Sequence, residues 1–342
     1  MEEQTKPDPY PGIKIGLTYN LKKENHSGTH DEEAEYDNIE TIFALKNAFE
    51  KAGYHVELME ADDDLPLRLK NTKVDIVFNI AEGRGGRGRE AQVPSLLNMM
   101  GIKFAGSDET TLCIALDKAL TKRVLSTYKI KTPKFKVVSD IKKMGSFKGF
   151  LFPVIVKPNA EGSSKGISDV CIAEDITSLK NLLTDNITSY KQSMLVEEYI
   201  DGREFTVGIL GNGRDTKVFR PMEIVYLDQN RNYSVYSFNV KQNYKKLIRY
   251  DCPAALDQQI EDKMIKTARK IYDTLECKDF SRMDFRLSND NEIYFIEINP
   301  LPGLAPGYSD YPMLADFNGT DYDTLVQSII YCALKRYNIR KG

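Results

Sequence analysis

Apolar runs that alternate with a helical stripe predict an α/β domain at the start of the chain. Residues 13–19, 55–59 and 74–78 are short apolar runs of the kind that form buried strands. Between the first two runs, apolar residues recur over 39–52 at the spacing of one helical face, and Gly53 ends that helix. This strand–helix–strand order predicts a parallel sheet with helices packed on it.

A second pattern, near the C-terminus, predicts a β-hairpin with a polar face. Two short apolar runs within residues 280–299 are separated by a polar turn. Strand alternation places Arg282 and Asp284 on one face of the first strand. It also places Glu297 and Asn299 together on one face of the second. Burying such groups is costly unless they bind something, and the alternative is a polar face turned to water.

The side chains of this hairpin have the chemistry of a divalent-cation site. Asp284, Glu297 and Asn299 carry oxygen atoms of the kind that Mg²⁺ takes as ligands, with substrate phosphates completing the shell. Arg282 adds a planar guanidinium that can hold a carboxylate or a phosphate. The hairpin therefore predicts a site where a metal ion and a phosphorylated ligand meet.

Composition narrows the class of protein. The chain has 342 residues, of which 41% are hydrophobic and 28% are charged, as in soluble globular proteins of two or three domains. The net charge is −3 with both signs spread evenly, which does not favour nucleic acid as a partner. No stretch is apolar enough to cross a bilayer, and residues 1–7 contain no apolar signal core, so we expect a cytoplasmic protein. Five widely spaced cysteines argue against a zinc site or a disulfide framework.

Two glycine-rich stretches are candidate ligand loops. Residues 83–88 match Gly-x-Gly-x-x-Gly, but they follow a later strand rather than the first, where the dinucleotide fingerprint belongs. Residues 159–168 combine glycine and serine after a strand that ends near Lys157, and the amides of such loops bind phosphate oxygens. The alternative for the first loop is that it carries backbone amides and three arginines to the mouth of a cleft: Arg84, Arg87 and Arg89.

Two further features are ambiguous. His26 and His30 stand four residues apart beside acidic residues, which would suit zinc on a helix, but Gly28 favours a loop. Lys118 lies outside the apolar stripe of a helix predicted around 112–124, so a solvated lysine is the simple alternative to a ligand contact.

The hairpin motif resembles a known signature. Arg282-x-Asp284 followed by Glu297-Ile-Asn-Pro-Leu-Pro-Gly-Leu304 is similar to the C-terminal signature of D-alanine–D-alanine ligases, which belong to the ATP-grasp superfamily. The resemblance extends over about residues 13–336. It implies an α/β protein with an ATP-grasp fold and an N-terminal Rossmann-like (pre-ATP-grasp) parallel-sheet domain.

The resemblance also implies three segments. Residues 1–107 would form the N-terminal domain on the substrate side. Residues 108–200 would form the central ATP-grasp subdomain with its glycine loop. Residues 201–342 would form the C-terminal ATP-grasp subdomain, with the metal site and a mobile lid over 226–250.

The activity implied is ATP-dependent ligation of two amino acids through an acyl phosphate. ATP would contact Lys118, Lys157, Glu161, Gly162, Ser163, Ser164, Glu197, Glu204 and Lys241. Among these, Glu197 would meet the adenine and Glu204 the ribose, and Lys241 would reach the γ-phosphate from the lid. Two Mg²⁺ ions, which Mn²⁺ can replace, would bind Asp284, Glu297 and Asn299. The residues implied in catalysis are Arg282, Gly303 through its amide, Ser163 and Lys241.

The substrate side departs from the family pattern. Glu82 stands where the family has a histidine, and Gln242 where it has a tyrosine. The family's ammonium-binding motif is missing, and residues 33–37 occupy its region. The family has a serine near the substrate carboxylate beyond Gly303. Because the loop here is one residue longer, the resemblance implies that either Tyr308 or Ser309 would fill that place.

These departures leave alternatives open. Glu82 would either bind a substrate ammonium or pair with a neighbouring arginine. The protein would join D-alanine or another amino acid or peptide of a secondary pathway, or it would bind a nucleotide without ligase activity. The complete metal triad argues against the last of these. We expect a homodimer that acts on small molecules, and neither nucleic acid nor a membrane as its partner.

Overall fold

The computed structural model of the chain describes residues 12–22, 36–161, 171–228 and 233–339. No helix in these ranges combines the length and the apolar character that crossing a membrane requires. Several positions discussed above lie outside the described residues: His26, Gly28, His30, Gly162, Ser163 and Ser164.

A parallel sheet forms the N-terminal part of the molecule, as the sequence pattern predicts. Its elements are β1 (Lys14–Tyr19), α1 (Ile39–Lys51), β2 (His55–Glu60), α2 (Leu65–Asn71), β3 (Ile76–Asn79), α3 (Gln92–Met99) and β4 (Phe104–Ala105). The strand order is β2-β1-β3-β4, and every neighbouring pair is parallel. Ile15 and Leu17 pack into one core and Val77 into another, so both faces of the sheet are covered.

A smaller antiparallel sheet follows. Its elements are α4 (Glu109–Leu116), α5 (Lys118–Thr127), β5 (Phe135–Val138), β6 (Val154–Pro158), β7 (Ile172–Ala173), α6 (Ile176–Tyr190) and β8 (Met194–Glu198). The strand order is β5-β8-β6-β7. Leu179 and Leu183 of α6 pack in one core with Val156 of β6, so α6 covers one face of this sheet. β6 and β7 pair with each other on either side of the predicted phosphate loop.

A larger antiparallel sheet carries the predicted hairpin. Its strand order is β12-β11-β9-β13-β14, and β10 pairs with β9. Met283 and Ile298 pack in one core with Met264 of the helix that covers this face. Asp284 and Glu297 alternate with those apolar residues and therefore point the other way. The elements in chain order are β9 (Gly202–Leu210), β10 (Lys217–Val218), β11 (Met222–Tyr226), α7 (Phe238–Gln242), α8 (Tyr244–Leu247), β12 (Ile248–Asp251), α9 (Gln258–Thr274), β13 (Phe280–Ser288), β14 (Ile293–Asn299), α10 (Asp310–Phe317) and α11 (Tyr322–Arg336).

The last helix returns to the N-terminal sheet. Leu325 and Ile329 of α11 share one core with Leu45 and Phe49 of α1. Gln327 donates a hydrogen bond to the carbonyl oxygen of Ala48 at 2.9 Å. The C-terminal end of the chain thus packs against the first domain, although it was grouped by sequence with residues 201–342.

The predicted lid, residues 226–250, has local structure where it is described. It contains α7, α8 and most of β12, and β12 pairs with β11. Val240 and Ile248 pack in one small core with Ile224. This packing places α7, which carries Lys241, over the hairpin.

Candidate active site

The strand register confirms that the polar side chains of the hairpin share a face. Asp284 stands opposite Glu297, and Arg282 stands opposite Asn299. Directly opposed residues in an antiparallel pair point to the same side, as do residues two apart on one strand. All four side chains therefore project from the face that α9 leaves uncovered.

Two cavities meet at this face. Their volumes are about 820 and 810 Å³, and Lys241, Arg282 and Glu297 line both. The first cavity lies between the hairpin and the N-terminal sheet, and its lining includes Asp37, Ile80, Glu82, Glu90, Lys118, Glu161, Asn299 and Gly303. The second lies between the hairpin and the central sheet, and its lining includes Ile155, Lys157, Glu197, Tyr199, Glu204, Tyr236, Asp284, Arg286 and Ile296.

The donor atoms of the predicted metal ligands fit a hard divalent cation. Asp284 and Glu297 offer carboxylate oxygens, and Asn299 offers an amide oxygen. The side-chain nitrogen of Asn299 is buried without a hydrogen-bond partner. No hydrogen bond from that nitrogen therefore sets the orientation of the amide group. In the described part of the chain, no group of three or more His, Cys, Asp or Glu side chains is arranged to hold a metal, so the asparagine is needed to complete the set.

The two carboxyl groups of this set have opposite pKa shifts. Burial raises the pKa of Asp284 to about 6, with Arg282 opposing the rise and Glu297 adding to it. Burial also disfavours the charged form of Glu297. The positive charges of Lys118 and Lys157 outweigh that effect and lower the pKa of Glu297 to about 2. Glu297 is therefore negatively charged at neutral pH.

Lys118 stands at the first cavity, beside the hairpin. Its Nζ lies 3.6 Å from Oε2 of Glu297, and it donates a hydrogen bond to the carbonyl oxygen of Glu161. The single helix predicted here is two helices, because Asp117 breaks it and Lys118 begins the second. As a result Lys118 is only 8% exposed, and the alternative of a solvated lysine is wrong.

The carboxylate of Glu197, which was predicted to meet the adenine, forms ion pairs with two buried lysines. It is 2% exposed, with Lys157 Nζ 2.6 Å from one oxygen and Lys122 Nζ 2.8 Å from the other. Lys122 is fully buried and also donates to the carbonyl oxygen of Ile296, next to Glu297. Both carboxylate oxygens are thus ion-paired with lysines, and Glu197 also lines the second cavity. The adenine role of the Glu197 side chain stays a prediction.

Glu204 lines the second cavity beside an arginine. Arg286 donates to Glu204 at 3.0 Å, and the hydroxyl of Tyr226 donates to the same carboxylate oxygen at 2.7 Å. Arg286 also lines the cavity. The ribose contact of Glu204 stays a prediction, and Arg286 is a candidate that the sequence analysis missed.

Arg282 lies between two carboxylates. Its Nε and Nη2 donate to Asp284 at 3.2 and 3.0 Å, and its Nη1 donates to Asp310 at 3.1 Å. The arginine side chain is 12% exposed and lines both cavities. The guanidinium therefore lies where the two cavities meet.

Glu82 lines the first cavity, but the arginines near it line neither cavity. Arg87 and Gly86 of the same loop line a separate cavity of about 1010 Å³, so the placement of this loop at the mouth of a cleft stays a prediction. Arg84 pairs with Asp63 and Arg87 with Asp117, while Arg89 contacts the carboxylate of Glu161 and the carbonyl oxygen of Ala160.

The glycine loop at 83–88 needs a glycine at position 83 because of its backbone conformation and a close backbone contact. Gly83 has φ +77°, and a Cβ there would lie 2.0 Å from the carbonyl oxygen of Arg89. The loop follows β3, the third strand, rather than the first strand-to-helix turn of a dinucleotide site.

Asp37 is an acid of the first cavity that the sequence analysis treated only as part of a stretch. It is the described end of residues 33–37 and lines the cavity with Glu82. Burial raises the pKa of Asp37 to about 7. Two carboxyl groups, those of Asp37 and Glu82, therefore belong to the first cavity.

Of the two residues offered for the substrate carboxylate, Ser309 is the better placed. A Cβ on Gly303 would lie 2.8 Å from the Ser309 hydroxyl oxygen, so the serine stands directly behind a residue of the first cavity. Tyr308 is 42% exposed, and its ring contacts that of Tyr244.

Comparison with known proteins decides the family. The family model described as D-ala D-ala ligase C-terminus matches residues 125–331. The D-alanine–D-alanine ligase of Aquifex aeolicus is 32% identical over 292 residues, which cover 85% of this chain and 94% of the relative. That of Rickettsia bellii is 33% identical over 286 residues, 83% of each chain. The chain belongs to the D-alanine–D-alanine ligase family. The predictions of this family and of a ligase of its type are confirmed.

Solved structures confirm the predicted fold of this family member. D-alanine–D-alanine ligase from Bacillus anthracis, in a crystal structure complexed with ATP, matches with a TM-score of 0.74 at 22% identity and covers 95% of this chain and 98% of its own. VanG D-Ala:D-Ser ligase from Enterococcus faecalis matches with a TM-score of 0.71 at 20% identity, covering 94% and 99%. The architecture is therefore that of these ligases.

Lys122 is a buried partner of Glu197 that the sequence analysis did not identify. The signal in the sequence is a second lysine four residues after Lys118. We expect Lys122→Met to lower the thermal midpoint by about 5 °C or more, because it removes one of the two cations that compensate buried Glu197.

Calorimetric melting of purified variants measures this effect. The control is Lys131→Met, which removes a cation that is 47% exposed and pairs with Glu292 at 3.4 Å. Its midpoint should change by about 1 °C or less. Equal midpoints for the two variants would show that the buried pair does not stabilise the fold.

Proposed function

We propose that this protein is an ATP-dependent ligase that joins two amino acids through an acyl phosphate. The observation that carries the proposal is the junction of two cavities at one polar face, where Lys241, Arg282 and Glu297 line both. A phosphoryl group from one cavity and a carboxylate from the other can meet there. The relatives named D-alanine–D-alanine ligase support this activity.

The second cavity suits ATP. Ile155 and Ile296 provide apolar lining for a base, while Lys157 and Arg286 provide positive charge for phosphates. The hairpin ligands described above would hold Mg²⁺, which offsets the negative charge of the phosphates when it is bound. Lys241 would approach the terminal phosphate from α7.

The first cavity suits the amino acid whose carboxylate is activated. Asp37 and Glu82 would face its ammonium group, and its carboxylate would lie at the junction. One carboxylate oxygen attacks the γ-phosphorus of ATP, the bond from that phosphorus to ADP breaks, and an acyl phosphate forms. Positioning and charge neutralisation account for this step, since it needs no protein nucleophile.

The second step forms the amide bond. The amine of the other amino acid attacks the carbonyl carbon, the bond from that carbon to the phosphate oxygen breaks, and the amine loses a proton. Arg282 and the backbone amide of Gly303 would donate hydrogen bonds to the oxyanion of the tetrahedral intermediate. Each such donor contributes on the order of 3 kcal/mol to the transition state.

The test is phosphate release with ATP across a panel of D- and L-amino acids, offered singly and in pairs. We expect release that depends on both ATP and a particular pair, together with one amide product for each phosphate. Absence of an amide product from every pair would contradict the proposal.

Replacing Lys118 by alanine is expected to weaken ATP binding about tenfold, because a buried cation beside Glu297 is lost from the phosphate side of the site. The difference should grow at low salt, where the lysine charge is less screened. Titration calorimetry with ATP and Mg²⁺ measures the affinity. Lys142→Ala, at an exposed position of the same subdomain, serves as the control. An unchanged affinity in Lys118→Ala would place the nucleotide elsewhere.

Replacing Glu82 by glutamine is expected to raise KM for the activated amino acid about tenfold and to leave KM for ATP near its original value. That pattern marks the loss of ground-state binding at one cavity only. Steady-state kinetics with the best pair from the panel measure it. Glu57→Gln, an exposed acid on β2, is the control. If KM for the activated amino acid is the same in Glu82→Gln and wild type, Glu82 does not bind the ammonium. Asp37, Glu33 and Glu35 would then be the remaining candidates.

A further inference from the structure

Asp310 is a buried acid that the two steps above do not use. It is the first residue of α10, it is 2% exposed, and it lines neither cavity. A buried carboxylate persists in a fold only where its partners compensate the lost hydration. Its partners therefore indicate what it does.

Three donors from two separate parts of the chain converge on Asp310. Its Oδ2 accepts a hydrogen bond from Nη1 of Arg282 at 3.1 Å. Its Oδ1 accepts from the hydroxyls of Tyr250 at 2.7 Å and Tyr236 at 3.0 Å. Both carboxylate oxygens are thus occupied, one by the hairpin and the other by the predicted lid segment.

Arg282 is held by two carboxylates, Asp284 and Asp310, and the first of these is also a predicted metal ligand. Asp284 accepts from Nε and Nη2 of Arg282, and Asp284 is also a ligand in the predicted metal set. If Asp284 held a cation, its oxygens would be shared between that cation and the guanidinium. Asp310 lies outside both cavity linings, so, unlike Asp284, it is not a candidate ligand for what either cavity contains.

The tyrosines extend the same anchor to the lid segment. Tyr236 and Tyr250 stand on either side of Lys241 in the sequence, and their hydroxyls are 2.8 Å apart. Tyr244, between them, donates to the carbonyl oxygen of Gly307 at 2.8 Å. One carboxylate therefore anchors Arg282 directly and, through the two tyrosines, the segment that carries Lys241. Arg282 and Lys241 each line both cavities.

We propose that Asp310 is a positioning residue for amide-bond formation, which rests on the function proposed above. It holds the guanidinium of Arg282 against the oxyanion position of the second step while Asp284 serves the metal. Without this anchor, the acyl phosphate still forms in the first step, but the attack of the amine on it is slower. Water then attacks the acyl phosphate, releasing phosphate and regenerating the original carboxylate.

The variant Asp310→Asn tests this proposal, because it keeps the shape of the side chain and an oxygen for the tyrosine hydroxyls. Phosphate and amide product are measured in the same reaction with the best amino acid pair. We expect amide formation to fall about tenfold or more, since a charge-assisted hydrogen bond to Arg282 is lost. The ratio of phosphate to amide should rise from about one to about three or more, because hydrolysis competes with the slowed amine attack.

Two further readouts separate positioning from a structural role. ATP affinity by calorimetry and the thermal midpoint should both stay near the wild-type values in Asp310→Asn. Asp316→Asn, which changes an exposed acid on the same helix, is the matched control and should keep the wild-type ratio. Tyr236→Phe removes one of the two hydroxyl donors and should raise the ratio less than Asp310→Asn does.

The outcomes are distinct. A wild-type ratio and rate in Asp310→Asn overturn the positioning role while leaving the ligase function in place. A loss of rate accompanied by parallel losses of ATP affinity and thermal midpoint also overturns it, in favour of a structural role. If the wild-type protein itself forms no amide product, the proposed function fails, and the positioning role fails with it.

Discussion

Replacing Glu297 by glutamine is expected to lower kcat by about 10³-fold. The pKa of Glu297 is lowered to about 2, its side chain lines both cavities, and it stands opposite Asp284. The amide keeps the shape of the side chain but loses the charge that a divalent cation needs. Phosphate release at saturating ATP and Mg²⁺ measures the effect.

The fold should survive the Glu297 substitution. Met283 and Ile298, which pack on the covered face of the hairpin, are untouched. The control is Glu292→Gln, which changes an acid that is 45% exposed in the turn of the same hairpin and should keep the wild-type rate. Full activity of Glu297→Gln with Mg²⁺ present would remove this residue from the metal set.

Replacing Arg282 by lysine is expected to lower kcat about 10²-fold while KM for ATP changes little. Lysine keeps the positive charge but has only a compact ammonium. It cannot bond Asp284 through two nitrogens and Asp310 through a third, as the guanidinium does. Steady-state kinetics with the best amino acid pair measure the split between kcat and KM.

Arg214→Lys is the control for this substitution, because Arg214 is exposed in a short 3₁₀ turn, Gly213–Asp215, away from both cavities. It should have wild-type kinetics. A wild-type kcat in Arg282→Lys would mean that charge alone suffices at this position. The assignment of the guanidinium to the oxyanion would then be wrong.

Periodicity along the chain predicts the parts of the fold that depend on local patterns. The parallel sheet at the start follows from apolar runs separated by one helical stripe, and the hairpin from two runs with a polar turn. In both cases each strand buries side chains in a way that the sequence displays directly. The polar face of the hairpin is predictable for the same reason, since alternation fixes which residues share a side.

The helix break at Asp117 could not be predicted from periodicity, because a contact between distant parts of the chain determines it. The break at Asp117 lies in the middle of an apolar stripe, and it is held by contacts with Asn159, whose side chain bonds Asp117 at 2.8 Å. That contact spans 42 residues of sequence. The burial of Lys118 and Lys122 follows from it, and no pattern within the helix shows it.

The candidate site shows the same limit. Motifs identify Asp284, Glu297 and Asn299, because metal ligands have a restricted chemistry and spacing. Asp310 belongs to no motif that the sequence analysis identified. Its role depends on Tyr236 and Tyr250, which reach it across 74 and 60 residues of sequence. The homodimer, the cytoplasmic location and the use of two Mg²⁺ ions stay predictions.

The central claim is that the protein activates a carboxylate by phosphorylation before an amine attacks it. The most direct measurement uses the activated amino acid labelled with ¹⁸O in its carboxylate, and follows the label into the released phosphate by mass spectrometry. The account predicts one ¹⁸O atom in each phosphate released with amide product, because the carbonyl carbon gives up its bond to that oxygen when the amine attacks. Unlabelled phosphate, or pyrophosphate and AMP as products, would contradict the acyl phosphate and with it the proposed function.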